Sequence, residues 1–271
     1  MQGASRESLA AVRERLEAFQ GGSDAGTLSS VADGLAAVVR LLDREGNLRR
    51  TLGDPTVTAH AKGELLDRLI GGQIGSEAME LLKAAVALRW SSPRDLVDAI
   101  EVLAATAVFL VAEKQGELDR VSDELFRFAR AVAGDPLLRS TLTDRSLDNE
   151  RKKALVDGLL EGKAAAGTRQ VVDVLVLSPR GRTIEDGLET YAQLAADVRR
   201  RTLATVTSAV PLDEAQRDRL AAALTAQLGR EIQLQVEVDP KVLGGVLVRV
   251  GDEVIDGSIR HRLAQAGRAV S

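Results

Sequence analysis

Glu231-Ile-Gln-Leu-Gln-Val-Glu-Val-Asp-Pro-Lys-Val-Leu-Gly-Gly-Val-Leu-Val-Arg-Val-Gly-Asp-Glu-Val-Ile-Asp-Gly-Ser258 carries two runs of alternating residues. Ile232, Leu234, Val236 and Val238 alternate with Gln233, Gln235 and Glu237, the period of a half-buried strand. Asp239-Pro240 ends that strand, because Pro has no N–H to give a ladder. Val246, Val248 and Val250 form the second run. Between the runs, Gly244-Gly245 marks a backbone that bends or passes close to another segment. Gly251-Asp252 is a two-residue turn signal before Val254-Ile255, so a hairpin is predicted. Asp256-Gly257-Ser258 closes it, and Ser258 can cap a last helix through Ala269. Upstream, Thr202–Val210 reads as a strand. Asp213 then caps a helix with Leu220, Leu224 and Leu228 on one face and Gly229 as its stop. The helix can pack across a small mixed sheet, giving an α/β domain over 198–271.

Three segments of this region occur in a fixed order between positions 205 and 258. They are Thr205-Val-Thr-Ser-Ala-Val-Pro-Leu212, then Val238-Asp-Pro with Gly244-Gly-Val-Leu-Val-Arg-Val-Gly-Asp252, then Val254-Ile-Asp-Gly-Ser258. A lone Gly-Gly is weak, but the ordered set is specific. It resembles the C-terminal signature of the ATP synthase delta subunit family, the bacterial counterpart of the mitochondrial oligomycin-sensitivity-conferring protein. The resemblance implies a non-catalytic linker at the top of the synthase stator. It assigns structural roles to Asp239, Pro240, Gly244, Gly245, Gly251, Asp252, Asp256, Gly257 and Ser258.

Of 271 residues, 45% are hydrophobic and 28% charged, an ordinary composition for a folded soluble chain. Only 2% are aromatic, so the cores must be built from Ala, Leu and Val, which suits close helix packing. With no Cys there is no disulfide framework and no thiolate chemistry. Arg6, Glu7, Arg13, Glu14 and Arg15 break any apolar core of a signal peptide. The longest apolar run, Val102 to Ala112, is about half of the roughly 20 residues a bilayer span needs. Membrane association is therefore expected only through a partner. Net charge is −4; residues 198–271 carry 11 basic and 9 acidic side chains, and the remainder 25 and 31. Neither part has the basic balance of a nucleic-acid binder.

The first 105 residues read as helices. Ser5–Phe19 has Leu9, Val12, Leu16 and Phe19 at helical spacing. Ser29 or Ser30 can cap the next, with Val31, Leu35, Val38 and Leu42 as its stripe. A short turn over Asn47–Pro55 follows. Then come Lys62–Ile70, with Leu65, Leu66, Leu69 and Ile70 inward, Glu77–Arg89, and Asp95 to about Ala112. The next region copies the first at a shift of 90. Leu48, Arg49, Thr51, Leu52 and Asp54 meet Leu138, Arg139, Thr141, Leu142 and Asp144; Val31, Asp33, Leu35 and Arg40 meet Val121, Asp123, Leu125 and Arg130. Positions 26–72 give 16 identities in 47, against roughly 4 by chance for ordinary compositions. Further on the register slips, and Pro93-Arg94 meets Pro179-Arg180. The predicted fold is mostly α: tandem helical bundles over 1–105 and 106–197, then the α/β domain. The last helix of the first bundle runs into the first helix of the second near Ala105. A long helix from Ile184 to about Arg201 leads into the C-terminal domain.

The delta family has one such bundle, and Thr106–Leu118 resembles its opening helix. Residues from about 106 onward thus look like a whole ordinary member, and 1–105 like an added duplicate. The resemblance implies that the bundle grips N-terminal helices of alpha subunits and that the C-terminal domain holds the end of the b subunit. The place of work would be the cytoplasmic face of the cell membrane, peripherally. In the family the groove lies between the first and fifth helices of the bundle, here Thr106–Lys114 and Thr168–Leu177. Phe109, Leu110, Val172 and Leu175 are then the candidate partner-binding residues; each fits a bundle core equally well. The first bundle offers Leu9–Phe19 and Leu81–Trp90.

Catalytic patterns are missing. Gly158-x-x-x-Gly162-Lys163-Ala164 has the wrong spacing for a P-loop and no hydroxyl after Lys. His60 and His261, the only histidines, are far apart and read as surface residues. Asp252, Glu253 and Asp256 could take a hard cation, but Asp beside Gly is explained by turn formation. Gly244-Gly245 could cradle a phosphate, yet it precedes a strand and not a helix N-terminus. Arg199-Arg200-Arg201 reads as a solvated helix end, and Phe109, Phe126 and Phe128 as core. No cofactor, metal or catalytic residue is expected. The rival to a stator subunit is a tandem helical adaptor unrelated to the synthase.

Overall fold

Side chains at helical spacing produce a run of helices from the N-terminus: α1 (Ala4–Gln20), α2 (Ala25–Arg44), α3 (Gly46–Gly53), α4 (Ala59–Ile70), α5 (Ser76–Ala87) and α6 (Pro93–Lys114). They continue as α7 (Leu118–Gly134), α8 (Pro136–Thr143), α9 (Asn149–Leu160), α10 (Ala166–Leu177) and α11 (Ile184–Thr202). The computed structural model describes residues 3–144, 146–228, 232–239, 245–250 and 253–256. The chain divides into two compact units, 1–195 and 196–271.

The repeat seen in sequence is a repeat of elements. α3, α4 and α5 recur as α8, α9 and α10 with both ends displaced by 90. Local geometry recurs with them. Asp54 Oδ1 accepts from the Thr56 backbone N–H (2.8 Å) and hydroxyl (2.7 Å), and Asp144 Oδ1 accepts from the same groups of Ser146 at the same distances. Such Asx turns end the short helix and start the connection to the next. Lys62 and Lys152 are both 3% exposed. The slipped Pro-Arg match is different: Pro93 opens α6, whereas Pro179 lies in the loop before α11.

α6 is one unbroken helix of 22 residues that passes through Ala105 and Thr106. Ser92 caps it by accepting from the Arg94 N–H, and Pro93 takes the first turn, where no N–H is needed. The first half closes the bundle of α1 to α5; the second half serves α7 and α10. Thirteen of its residues are buried, including Phe109 and Leu110.

Several helix ends and faces differ from the sequence reading. α2 starts at Ala25 and not near Ser30, because Asp24 Oδ1 accepts from the Thr27 N–H at 2.7 Å. A carboxylate at the cap position holds the helix a turn earlier than the serines could. α4 begins at Ala59, capped by Thr58. On α4 and α9 the equivalent Leu69 and Leu159 point outward, 45% and 37% exposed. Of the three phenylalanines expected inside, Phe109 and Phe128 are buried and Phe126 is 63% exposed.

In 196–271 the sheet order is β2-β1-β3-β4, from β1 (Leu203–Ser208), β2 (Gln233–Val238), β3 (Val246–Val250) and β4 (Glu253–Asp256). β1 pairs parallel with β2 and antiparallel with β3. β3 and β4 form the expected hairpin, with Val250 opposite Glu253. α12 (Glu214–Leu228) is the crossover between β1 and β2. Asp213 Oδ1 accepts from the Gln216 N–H (2.7 Å), and Gln216 Oε1 accepts from the Asp213 N–H (2.9 Å). This reciprocal pair is a capping box and explains why the helix starts there. Alternation delivers Ala204, Val206, Ile232, Val248 and Val250 to one face of the sheet, under Leu224 of α12. Val238, the last residue of an edge strand, is 49% exposed.

Candidate functional site

The candidate residues Phe109, Leu110, Val172 and Leu175 are brought together, but inside the protein. They are 0%, 5%, 0% and 0% exposed. Leu175 lies so close to Gly187 of α11 that a Cβ at 187 would collide with its δ-methyl. The Phe109 ring meets the Tyr191 ring edge-on at 6.5 Å. Contact with a partner is thus not what these four side chains offer in this structure; they are bundle core.

The groove they were expected to line exists and is filled. α6 and α10 pack against each other, and α2 packs against both. The close approach of α10 is built from Gly167, where a Cβ would stand 3.2 Å from Val108 and 3.5 Å from Val121. Gln170 Nε2 donates to Asp33 Oδ1 of α2 at 2.7 Å. One turn on, burial raises the pKa of Asp173, and Arg40 of α2 is among the charges that oppose the rise. α2 therefore lies in the angle between the first and fifth helices of the second bundle. Its composition suits the place: nine of its 20 residues are buried, among them Leu28, Val31, Leu35, Val38 and Leu42. A helix apolar on most sides is one covered on most sides.

A buried ionic cluster fixes the far end of this contact. The loop between α10 and α11 carries Arg180 and Gly181 with φ of 45° and 85°. That left-handed turn, which Gly adopts freely, aims two guanidinium groups back at the first bundle. Arg180 reaches Asp98 (3.0 Å) and Asp43 (3.4 Å), and also Glu101. Arg182 and the Tyr191 hydroxyl both donate to Glu101, which is 1% exposed. Burial, partly offset by Arg182 and Arg180, pushes the Tyr191 pKa up to about 12. A buried carboxylate needs such donors, because an unpaired charge there would be very costly. Sequence periodicity gave no sign of this cluster; Ser178-Pro-Arg-Gly-Arg182, a polar loop with two Arg, was the available signal.

A second buried carboxylate, Glu124 of α7, caps α10 from outside. It accepts from the Ala165 N–H (2.7 Å), the Thr168 hydroxyl (2.6 Å) and Arg120 Nε (2.9 Å). Burial works to raise its pKa, but these donors outweigh it and the net shift is downward.

Of the signature residues, Asp239 donates its N–H to the Ser208 carbonyl at 2.9 Å, tying the end of β2 to β1. Gly245 has φ of 78°, a conformation that other residues rarely adopt. Asp256 ends β4. Pro240, Gly244, Gly251, Asp252, Gly257 and Ser258 lie outside the described residues, as do Gly229, His261 and the expected last helix.

Among the described residues no group of three or more His, Asp or Glu could hold a metal ion. His60 is exposed and stands 3.5 Å from Glu64. Two clefts at related places, one beside Arg50 and Trp90 and the other beside Ser140 and Arg182, gather no nucleophile with a base.

Residues 100–270 match the family model described as ATP synthase delta (OSCP) subunit. The ATP synthase subunit delta of Streptomyces avermitilis is 51% identical over 99% of this chain and 98% of its own length. That of Thermobifida fusca is 44% identical over 100% of both. The relatives therefore share the first bundle, which the family model leaves out. With the family model covering well over half its length and full-length relatives this similar, the chain belongs to the ATP synthase delta (OSCP) subunit family.

Proposed function

We propose that this chain joins the catalytic head of a rotary ATP synthase to the b subunit, taking N-terminal helices of alpha subunits on its helical unit and the end of b on its C-terminal unit. It is a non-catalytic subunit of the peripheral stalk. The place of work is the cytoplasmic face of the membrane, reached through its partners. The task is mechanical: the head must be held against the torque of the rotor. Two attachment bodies on one chain also give avidity, because engaging one raises the local concentration of the other.

One observation carries the reading of how the head is gripped. α2 is seated between α6 and α10, so this fold accepts a helix with an apolar face in that angle. Since the second bundle's angle is taken by the chain itself, the alpha-subunit helix goes to the corresponding pair in the first bundle, α1 and α5, over Leu9–Phe19 and Leu81–Trp90, where Val12, Leu16, Leu81 and Leu82 are core and Leu9 and Phe19 are only partly covered. Residues 1–105 and 106–197 then act as one gripping body.

Synthase membranes stripped of this chain and rebuilt with it provide the test. Re-addition should restore proton-driven ATP synthesis and keep alpha, beta and b subunits together through purification. A chain that binds none of them would belong to the rival class, a helical adaptor outside the synthase.

A further inference from the structure

α7 repeats the face with which α2 meets α10. Asp33 and Arg40 of α2 become Asp123 and Arg130 of α7 at the shift of 90. Val31 and Leu35 become Val121 and Leu125, and all four are at most 1% exposed, so both helices turn the same side inward. The opposite side, by helical spacing, carries the Asp, the Arg and two residues between them, Ala36 and Ala37 on α2 and Phe126 and Arg127 on α7. On α2 Ala36 is 4% exposed, with Asp33 bonded to Gln170 and Arg40 near Asp173. On α7 Phe126 is 63% exposed, and Arg127 beside it is exposed too and donates to the Asp123 carbonyl. The Asp123 and Arg130 side chains meet no partner among the described residues. Single exposed apolar side chains are ordinary. This one stands between two charges whose counterparts in the other bundle are interface groups.

The charges select what can cover it. A second molecule of this chain, docking as the bundles dock, would present α5 in the role of α10. α5 has Glu80 and Lys83 where α10 has Gln170 and Asp173. Glu80 would then face Asp123, and Lys83 would face Arg130, like charges at both contacts. We propose that the Asp123–Phe126–Arg130 face of α7 docks a helix of another synthase subunit. That helix carries an amide and a carboxylate three residues apart, as α10 does, with room between them for an aromatic ring. This rests on the stator reading above.

The test uses stripped synthase membranes rebuilt with the full chain. Phe126→Asp and Arg130→Glu should each raise the chain concentration for half-maximal rebuilding about tenfold, the effect of a moderate hot spot. Their melting temperatures should stay at the wild-type value, since both positions are exposed. A photo-crosslinking amino acid at position 126 should join a different synthase subunit. Unchanged half-maximal concentrations for both variants, or a crosslink to a second molecule of this chain, would overturn the proposal and leave the stator reading standing. Failure of the wild-type chain itself to rebuild the complex would remove the stator reading, and this inference with it.

Discussion

Leu175→Ala distinguishes a packing residue from a groove residue. Leu175 is fully buried, against Gly187 on the facing helix. Truncation removes three carbons, worth about 2.4 kcal/mol of transfer at about 0.8 kcal/mol per methylene, and leaves a cavity. The total is about 3 kcal/mol. The helical unit spans 195 residues, so at about 2.1 cal/mol/K per residue its unfolding entropy is about 0.4 kcal/mol/K and the melting point should fall by about 7 °C. Fluorescence of Trp90, the only tryptophan, makes the assay sharper. Trp90 is 4% exposed and sits in the first bundle, whereas Leu175 is in the second. If the bundles melt as one body, the Trp90 signal should shift with the far-UV circular dichroism of the whole chain. A shift of less than about 2 °C, smaller than any buried Leu truncation of this kind should give, would refute the packing of Leu175. A Trp90 transition that stayed at the wild-type temperature would refute the coupling.

Other consequences are as direct. Glu124→Gln should cost about 1.5 kcal/mol at neutral pH, because charged hydrogen bonds to Ala165 and Thr168 become neutral ones. The folded pKa of Glu124 lies below its ordinary value of 4.5, so its contribution is fully present above that value and is lost as pH falls through the folded pKa. The gap between variant and wild type in urea melts should therefore shrink in acid; a gap independent of pH would count against the ionised cap. Gly245→Val should destabilise the C-terminal sheet by about 2 kcal/mol, because a β-branched residue resists φ of 78°; amide exchange of Val248 and Val250 should accelerate, and unchanged protection would be the contrary result. The chain has a single tyrosine, so phenolate absorbance reports Tyr191 alone. In the folded protein its half-point should lie near 12; a half-point near 10 would mean that the ring is open to water.

Much of the fold was legible because helices advertise themselves locally. The repeat, the long helix from Ile184, the Asp213 cap and the hairpin around Val250 all follow from spacing and turn chemistry within a few residues. What could not be read is what one helix does to another. Leu69 and Phe126 fit an apolar stripe as well as their buried neighbours do, and only the position of the next helix decides which faces out. For α2 the signal was present: apolar residues on most sides of Ala25–Arg44 imply cover on most sides. Phe109 and Leu175 illustrate the same blindness in reverse, since a groove and a core use the same residues. The Arg180–Glu101 cluster joins positions about eighty apart in the chain through a left-handed loop, a relation that no periodicity encodes.

The unbroken passage of α6 through Ala105 and Thr106 constrains how such a chain can evolve. A flexible seam tolerates insertions; a continuous helix does not, because each added residue rotates everything beyond it by about 100° and advances it by about 1.5 Å. One extra residue near position 105 would swing the second bundle around the spine, carry Gln170 away from Asp33 and strand Glu101 without its arginines. Descendants of this duplication can therefore vary freely at their loops while the length of their central spine stays frozen.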